Sequence, residues 1–439
     1  MLVMKFGGSS VANAERVRNV CAIVKNNLHR HPVMVVSAHG GVTDMLIDVA
    51  KRSVTGKLDI SPIRKIHLDM IKDLKLDPAP TEKLLNELEV LLQGISLVRE
   101  LTPRTLDYVM SFGERLSIRT VAAYMSSQGV HATAVESYDL GMITSSDFGS
   151  ATPLPEADPI IEWNIKRYDT VPVITGFIGK DKKGNITTLG RNGSDYTAAI
   201  VGAAVGAEEI QIWSDVDGVM TADPTIIKEA MPIEKMSFDE ASELAYYGGR
   251  LHPYTLIPAV RKSIPIRILN TFKPDNKGTL ILSESKETEG VIKSIVYKEN
   301  LFLINVISTR MLFHHGFMAK IFEIFNNYSI VIDMIATSEV SVSLTTDNDV
   351  NLDAAIKDLA QFAEVTVEPD KAIICVVGEG LKHSRSVTST IFNAVEKGKI
   401  NVQMISQSAK KINIAFLIND DDILTTVQLL HNTFFAKKQ

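Results

Sequence analysis

The sequence has little cysteine, no long apolar run and no excess of positive charge. Its 439 residues include two cysteines, Cys21 and Cys375, each inside an apolar stretch, so a disulfide framework is excluded. Such sparing use of cysteine suits a reducing compartment, and we expect a cytoplasmic location. The net charge of -6 offers no basic surface for nucleic acid. No stretch of about 18 apolar residues occurs, so we expect no membrane span; the short apolar start, interrupted by Lys5, is unlike a signal peptide.

What the chain does have, from residue 1 to about 285, is an alternation of short β-branched runs with helical periods. This pattern favours an α/β domain, an open and mostly parallel sheet between helices. Residues 44–127 are predicted to be nearly all helical, and a polar stretch at 273–290 is typical of a domain boundary. The predicted strands are LVMKF, PVMVVSA, HATAVES, VPVITGF, EIQIWSDV and PIRILN.

Beyond that boundary the chain repeats itself with a shift of 70 residues, since IFEIFNNYSIVIDMIATS aligns with IFNAVEKGKINVQMISQS. Each copy is predicted as strand, helix, strand, strand, helix. The strand EVTVEP of the first copy has no counterpart in the second, whereas GVIKSIVYK, before the first copy, is left over. We predict that this extra strand at 290–298 completes the sheet of the second copy, so that the two modules interlock. The predicted domains are 1–285, 290–369 and 370–439.

The first strand is followed at once by glycines, in the stretch KFGGSS. SSVANAERVRNVCAIVKNNL, which comes next, is predicted as a helix with Val11, Val17, Val20 and Ile23 on one face. Glycines at a strand-to-helix turn let backbone N–H groups approach a phosphate closely, although a tight turn with a surface lysine would look the same. The lysine precedes the glycines, so this is not the phosphate-binding loop in which lysine follows them. The spaced glycines of a dinucleotide-binding fold are also missing.

Two further turns have a similar composition. VVSAHGGVTD follows the second strand, and turns at consecutive strand ends form one crevice in an open α/β sheet. LGRNGSDYTA precedes a very apolar helix, for which Ser194 or Asp195 could serve as the N-cap. The N-cap interpretation does not account for Arg191, whose forked guanidinium suits binding of a carboxylate or a phosphate.

Two other stretches carry charge. IWSDVDGVMTADP lacks the glutamate that a calcium-binding loop needs at its twelfth position, and a nucleotide-binding loop remains open. SFGERLS places Glu114 and Arg115 in a helical region, where such pairs are more often solvated charges than site residues.

Taken together, these motifs resemble those of one family. KFGGSS, VVSAHGGVTD, SFGERLS, LGRNGSDYTA, WSDVDGVMTADP and LHPYTL occur in the order seen in aspartate kinases, within the amino-acid kinase superfamily. The resemblance covers nearly the whole chain. The repeated modules look like the paired ferredoxin-like α+β units of that family, called ACT domains, and the chain is most similar to its monofunctional, lysine-sensitive form, in which no homoserine dehydrogenase domain follows.

The resemblance implies transfer of the γ-phosphoryl group of ATP, with Mg²⁺, to the β-carboxylate of L-aspartate. The product is 4-phospho-L-aspartate. Its formation is the first step of the aspartate pathway, which leads to threonine, to methionine and, through diaminopimelate, to lysine. It also implies inhibition by L-lysine and a homodimer through the ACT modules, or a dimer of such dimers, with no nucleic-acid or membrane partner. A kinase for another small carboxylate and a non-catalytic amino-acid sensor are the alternatives.

The resemblance also implies residue roles. Lys5 and Asp195 match catalytic positions, and no protein ligand for the metal is implied. ATP-binding positions are Lys5, Phe6, Gly7, Gly8, Ser214, Asp215, Met220, Asp223, Gly249 and Arg250. Substrate-binding positions are Ser37, Thr43, Glu114, Arg191, Asn192, Gly193 and Ser194. Effector positions are Met311, His314, Phe317, Met318, Asp333, Thr337, Ser338 and Glu339. The chain departs from the usual pattern at Asn192, Met220, Thr225, Gly249, His314 and Val331.

Overall fold

The computed structural model describes residues 1–247, 253–283, 292–308, 315–382, 384, 386–407 and 412–436. The described chain divides into two compact units. The first contains residues 1–219, 234–238 and 253–283, and the second contains 220–233, 239–247 and 292–436. Two stretches of the predicted kinase domain therefore cluster with the C-terminal part, and the predicted boundary at 285–290 lies outside the described residues.

The first unit has an α/β fold. Its strands are β1 (Leu2–Phe6), β2 (Pro32–Val36), β3 (Ala132–Val135), β4 (Ile143–Thr144), β5 (Val171–Thr175), β6 (Ile178–Asp181), β7 (Ile186–Thr188), β8 (Glu209–Ser214), β9 (Lys235–Ser237), β10 (Ile266–Asn270) and β11 (Thr279–Leu282). Its helices are α1 (Ala14–Asn26), α2 (Val42–Ser53), α3 (Ser61–Asp73), α4 (Ala79–Val98), α5 (Pro103–Ser127), α6 (Ala157–Ile165), α7 (Gly193–Val205), α8 (Phe238–Tyr246), which continues into the second unit, and α9 (Pro253–Lys262).

The main sheet has the order β3-β5-β2-β1-β8-β10-β11-β9. Its pairs are parallel except β10 with β11. Strands β1, β2 and β5 are buried at every position, as expected of parallel strands covered on both faces. The predicted α/β class and all six predicted strands are confirmed. A separate small sheet, β4-β6-β7, was not predicted.

The first helix begins later than its sequence pattern predicts. Residues Gly8–Val11 form a 3-10 turn, and α1 starts at Ala14 because the Asn13 side chain accepts a hydrogen bond from the Arg16 backbone N–H, the usual N-cap arrangement. The expected apolar face is nevertheless buried, since Val17, Val20 and Ile23 pack in the core beside the sheet.

The second unit is an antiparallel α+β structure. Besides α8 it contains β12 (Ser294–Ile307), α10 (Phe317–Asn327), β13 (Met334–Thr337), β14 (Ser341–Thr346), α11 (Leu352–Leu359), β15 (Glu364–Val377), α12 (Val387–Lys397), β16 (Met404–Ser406), β17 (Asn413–Asn419) and α13 (Ile423–Phe435). The strands form one sheet in the order β13-β14-β12-β15-β17-β16.

Strands β12 and β15 each run through both repeats. Residues 303–307 of β12 pair with 364–368 of β15 in the first repeat, and residues 294–298 pair with 373–377 in the second. The same strand also supplies two cores, since Ile304 packs in the first repeat and Ile295 in the second. The predicted interlocking of the modules is confirmed by this pairing. Among the described helices, none combines the length and apolar character that crossing a bilayer requires.

Candidate functional site

The sheet of the first unit reverses its winding at β1, which has β2 on one side and β8 on the other. Ligands of open α/β sheets bind at such a switch point, outside the carboxyl ends of the strands. Backbone hydrogen bonds hold the three strand ends level there: Gly7 N–H donates to Trp213 O at 3.2 Å, and Ser37 N–H donates to Phe6 O at 3.1 Å. The structure thus brings the first two predicted turns to one edge.

These two turns are in direct contact. A Cβ added to Gly8 would lie 2.9 Å from the Ala38 carbonyl oxygen, and one added to Gly40 would lie 3.1 Å from the Ala12 Cβ. A side chain at Gly8 would force the backbone to shift, and one at Gly40 would crowd Ala12. Glycine at these positions therefore lets the two turns approach each other, whatever they bind.

Lys5 is the last residue but one of β1 and is 8% exposed. Its ammonium Nζ lies 2.5 Å from Asp195 Oδ1, in the first turn of α7. Asp195 is 7% exposed. Buried charges need a partner, and this pair fixes a cation at the crevice end of the central strand. Phe6, by contrast, is fully buried and stacks on Trp213, so its side chain faces the core and only its backbone lies at the strand end.

Glu114 lies within α5 and is 3% exposed, so it is not the solvated charge that its sequence context favours. Its Oε1 accepts the Ala38 N–H at 3.1 Å, and its Oε2 is buried without a hydrogen-bond partner among the described residues. Burial raises the pKa of the Glu114 carboxyl to about 8, against a lowering by the backbone hydrogen bond. The close approach of α5 depends on Gly113, whose added Cβ would lie 2.8 Å from the Ala38 Cβ. Ser37 and Thr43 flank the same turn and are partly exposed.

The turn before α7 carries the other predicted substrate-binding residues. Its N-cap residue is Asn192, in the left-handed conformation with φ 56°, so neither Ser194 nor Asp195 is the cap. Gly193 and Ser194 are buried, and Ser194 packs against Gly176 at the end of β5. Arg191 and Asn192 are exposed.

The predicted nucleotide-binding residues are divided. Ser214 ends β8 in the first unit, and Asp215 follows it and is exposed. Met220 and Asp223 belong to the second unit, where Met220 O accepts the Ser294 hydroxyl at 2.8 Å and Asp223 Oδ1 accepts the Thr225 N–H at 2.8 Å. Gly249 and Arg250 lie outside the described residues.

The predicted effector residues that the structure describes lie in the first repeat. Asp333 immediately precedes β13, and its Oδ1 lies 2.6 Å from Lys298 Nζ. Burial raises the pKa of Asp333, while the Lys298 contact lowers it. Thr337, Ser338 and Glu339 are exposed in the hairpin between β13 and β14. Phe317 and Met318 begin α10, and Met311 and His314 lie outside the described residues.

Sequence reasoning missed two buried polar residues next to the crevice. His39, in the turn after β2, is 1% exposed, and its Nδ1 lies 2.6 Å from Val11 O. Burial lowers its pKa to about 4, which keeps the ring neutral. Asp107 on α5 is 1% exposed and accepts hydrogen bonds from Gly149 in a loop and from Thr188 at the end of β7. His39 lies within the VVSAHGGVTD motif, but nothing in that motif indicates that its ring is buried, and Asp107 belongs to none of the quoted motifs.

Comparison with known proteins agrees with this architecture. Residues 1–270 match the model of the amino acid kinase family, and residues 304–361 and 374–434 match an ACT domain model. Aspartokinase 1, chloroplastic, of Arabidopsis thaliana is 41% identical over 99% of this chain and 80% of its own length. The crystal structure of E. coli aspartokinase III in complex with aspartate and ADP (R-state) superposes with a TM-score of 0.86 at 31% identity, covering 99% of this chain and 100% of that one. The complex of the same E. coli protein with lysine and aspartate (T-state) gives a TM-score of 0.81 at 30% identity, with 99% of each chain covered. The chain therefore belongs to the aspartokinases, members of the amino acid kinase family that carry ACT domains.

Proposed function

We propose that this chain is an aspartate kinase that transfers the γ-phosphoryl group of ATP to the β-carboxylate of L-aspartate. A carboxylate oxygen forms the new bond to phosphorus, the bond to the β-phosphate oxygen breaks, and ADP leaves. The observation that carries the proposal is the buried Lys5–Asp195 pair at the switch point, 2.5 Å apart, beside two glycine turns in contact. Phosphoryl transfer needs alignment and positive charge more than covalent help from the protein.

The position of each residue supports the role we propose for it. Lys5 at the end of β1 would stabilise charge on the transferring phosphoryl group, and Asp195 would hold the Lys5 ammonium in place. The backbone N–H of Gly8 would bind a phosphate oxygen, and Gly7, whose N–H donates to Trp213 O, would let the turn approach the phosphates closely. Glu114, with one carboxylate oxygen unpartnered among the described residues, would bind the substrate ammonium, and the exposed guanidinium of Arg191 would bind the α-carboxylate.

The remaining proposed substrate-binding positions lie between the end of β2 and the start of α2, or at the start of α7. Ser37, Thr43, Asn192, Gly193 and Ser194 would orient aspartate, and Ser214, Asp215, Met220, Asp223, Gly249 and Arg250 would contact the nucleotide. In the described residues no group of three or more His, Cys, Asp or Glu is placed to hold a metal ion. Mg²⁺ commonly binds through substrate phosphates and one or two carboxylates, and Asp195 is the carboxylate that fits. When bound with ATP it would neutralise phosphate charge.

The experiment is product trapping. The protein is incubated with Mg-ATP, L-aspartate and hydroxylamine, and aspartyl hydroxamate is measured together with ADP. We expect both products with aspartate and far less with L-glutamate at the same concentration. Hydroxamate from another carboxylate but not from aspartate would identify a different kinase. Neither product with any amino acid would favour the non-catalytic sensor.

We infer also that L-lysine inhibits this activity by binding the first repeat. The candidate effector residues there lie in the β13–β14 hairpin or directly before it: Asp333, Thr337, Ser338 and Glu339. The lysine complex of E. coli aspartokinase III supports this choice of effector. Allostery requires lysine to prefer one state, with a coupling of roughly 1–3 kcal/mol. Hydroxamate formation should fall at millimolar lysine; activity unchanged at saturation would reject lysine as the effector.

A homodimer formed through the ACT modules also remains our proposal, for which light scattering after gel filtration is the measurement. The cytoplasmic location stays a prediction from cysteine content, because the Arabidopsis relative is named as chloroplastic.

A further inference from the structure

Asp107 is a buried carboxylate with no part in the proposed chemistry. It lies on α5 seven residues before Glu114, so the two side chains emerge from the same face of the helix, two turns apart. Its Oδ2 accepts the Gly149 N–H at 3.0 Å and the Thr188 N–H at 2.8 Å, and its Oδ1 accepts the Thr188 hydroxyl at 2.9 Å. At 1% exposure, all three bonds are shielded from water.

The groups that Asp107 binds form the base of the turn that carries Arg191. Thr188 ends β7, and its carbonyl oxygen accepts the Ala151 N–H at 2.8 Å. Gly190 follows with φ +76°, and an added Cβ there would lie 3.2 Å from the Gly149 carbonyl oxygen. The two backbone segments are thus packed together where the carboxylate joins them, three residues before Arg191.

Burying a carboxylate is costly unless it is hydrogen-bonded. Burial raises the pKa of Asp107 in spite of its three hydrogen bonds. No apolar residue could accept two backbone N–H groups at once, so the carboxylate performs a task that packing alone would not. Helix α5 is therefore hydrogen-bonded to two sides of the crevice. Glu114 accepts the Ala38 N–H in the turn after β2, and Asp107 accepts hydrogen bonds from Thr188 in the strand that leads to the turn before α7.

We propose that Asp107 is a positioning residue that fixes the position of Arg191 relative to Glu114. It thereby determines how tightly the α-carboxylate and the ammonium group of the amino-acid substrate are bound. This rests on the proposed aspartate kinase function. The alternative is that Asp107 stabilises the loops with no consequence for substrate binding.

The test compares two buried carboxylates that bind backbone N–H groups of the small sheet and its loops, Asp107 on α5 and Asp181 at the end of β6. Asp107→Asn should raise the KM for aspartate about tenfold, the effect of losing one good contact, and leave kcat and the KM for ATP within about twofold, as expected when ground-state binding is lost. Asp181 accepts the Lys183 and Asn185 N–H groups in the β6–β7 turn, which precedes β7, whereas Arg191 follows β7. Asp181→Asn should change neither KM.

A second measurement separates positioning from stability. In an Arg191→Ala background, Asp107→Asn should raise the KM for aspartate no further, because residues acting through one another are not additive. If Asp107→Asn fails to fold, Thr188→Val removes one hydrogen bond and should raise that KM about two- to threefold, again without additivity.

The outcomes are distinguishable. A wild-type protein that yields no aspartyl hydroxamate would reject the proposed function and this inference with it. Normal aspartate KM in a folded Asp107→Asn or Thr188→Val variant, or a rise that simply adds to that of Arg191→Ala, would reject the inference alone. A lower kcat together with higher KM values for both aspartate and ATP, in proportion to a lower melting temperature, would assign Asp107 a structural role.

Discussion

Lys5 should be the residue whose loss most affects turnover. Its ammonium is 2.5 Å from Asp195 and nearly buried, so Lys5→Met removes the charge while keeping most of the side-chain volume. We expect kcat to fall about 10²-fold or more, the usual cost of one preorganised transition-state donor. Hydroxamate formation at saturating substrates measures this, with circular dichroism as the control for folding. Near-normal turnover would show that Lys5 is structural.

Arg191 should act on binding instead. Because it is exposed and would contact the α-carboxylate in the ground and transition states alike, Arg191→Ala should chiefly raise the KM for aspartate. Steady-state kinetics at varied aspartate would show this. A loss confined to kcat would place Arg191 on the transferring phosphoryl group instead of on the amino acid.

Glu114 predicts a pH dependence. With its pKa raised to about 8 by burial, the carboxyl is mostly protonated at neutral pH, whereas binding an ammonium requires the carboxylate. The KM for aspartate should therefore fall as pH rises from about 6.5 to 8.5, and aspartate binding at pH 7 should release a proton. Titration calorimetry in buffers of different ionisation enthalpy would measure that release. In Glu114→Gln the proton release should disappear; a pH profile identical to wild type would show that another group titrates.

At the residue scale, the sequence motifs predicted the candidate site residues better than they predicted the contacts between those residues. Lys5 and Asp195 come from separate motifs, and only the fold brings them within 2.5 Å. The sequence context of Glu114 favoured a solvated charge, because nothing local reveals that Gly113 lets α5 approach the Ala38 turn. The importance of Asp107 depends on loops far along the chain, so no local pattern predicts it.

The contact between the first two turns can be tested with a pair of glycines. Gly8→Ala places a Cβ 2.9 Å from the Ala38 carbonyl oxygen, so the turns must separate. A displacement near 1 Å at a catalytic site costs about 10²-fold in rate. Gly94→Ala in α4 meets nothing within 4 Å and should stabilise the protein by about 1 kcal/mol with normal activity. Activity and melting temperature of both variants decide the matter; a fully active Gly8→Ala would show that the turns can give way.

Elements with strong periodicity were predictable, and those without it were not. Six of the eight strands of the main sheet and the helical stretch from α2 to α5 follow directly from apolar runs and spacing. The small sheet was missed because β4 has two residues and β7 has three, too few for alternation to register. The start of α1 was misplaced because a 3-10 turn and the Asn13 cap intervene.

The interlocked repeats make a prediction for the second unit. Ile295 and Ile304 are both fully buried on β12, yet they pack in the cores of different repeats. Each change to Ala should cost about 2–5 kcal/mol. Hydrogen exchange should then accelerate mainly in β17 for Ile295→Ala and mainly in β14 for Ile304→Ala. Equal acceleration of both strands by either variant would mean that the two repeats open as one.

The double span of β12 also determines the order in which the second unit is built. Translation delivers residues 294–298 first, but their pairing partners at 373–377 are made only after the first repeat is complete. Residues 294–298 therefore remain unpaired after the first repeat has formed, and their exposed strand edge can pair with other strands. A stalled ribosome or a proteolytic cut between the repeats would leave residues 294–298 without their partner and the second repeat without one of its strands, so neither piece would contain a complete second module.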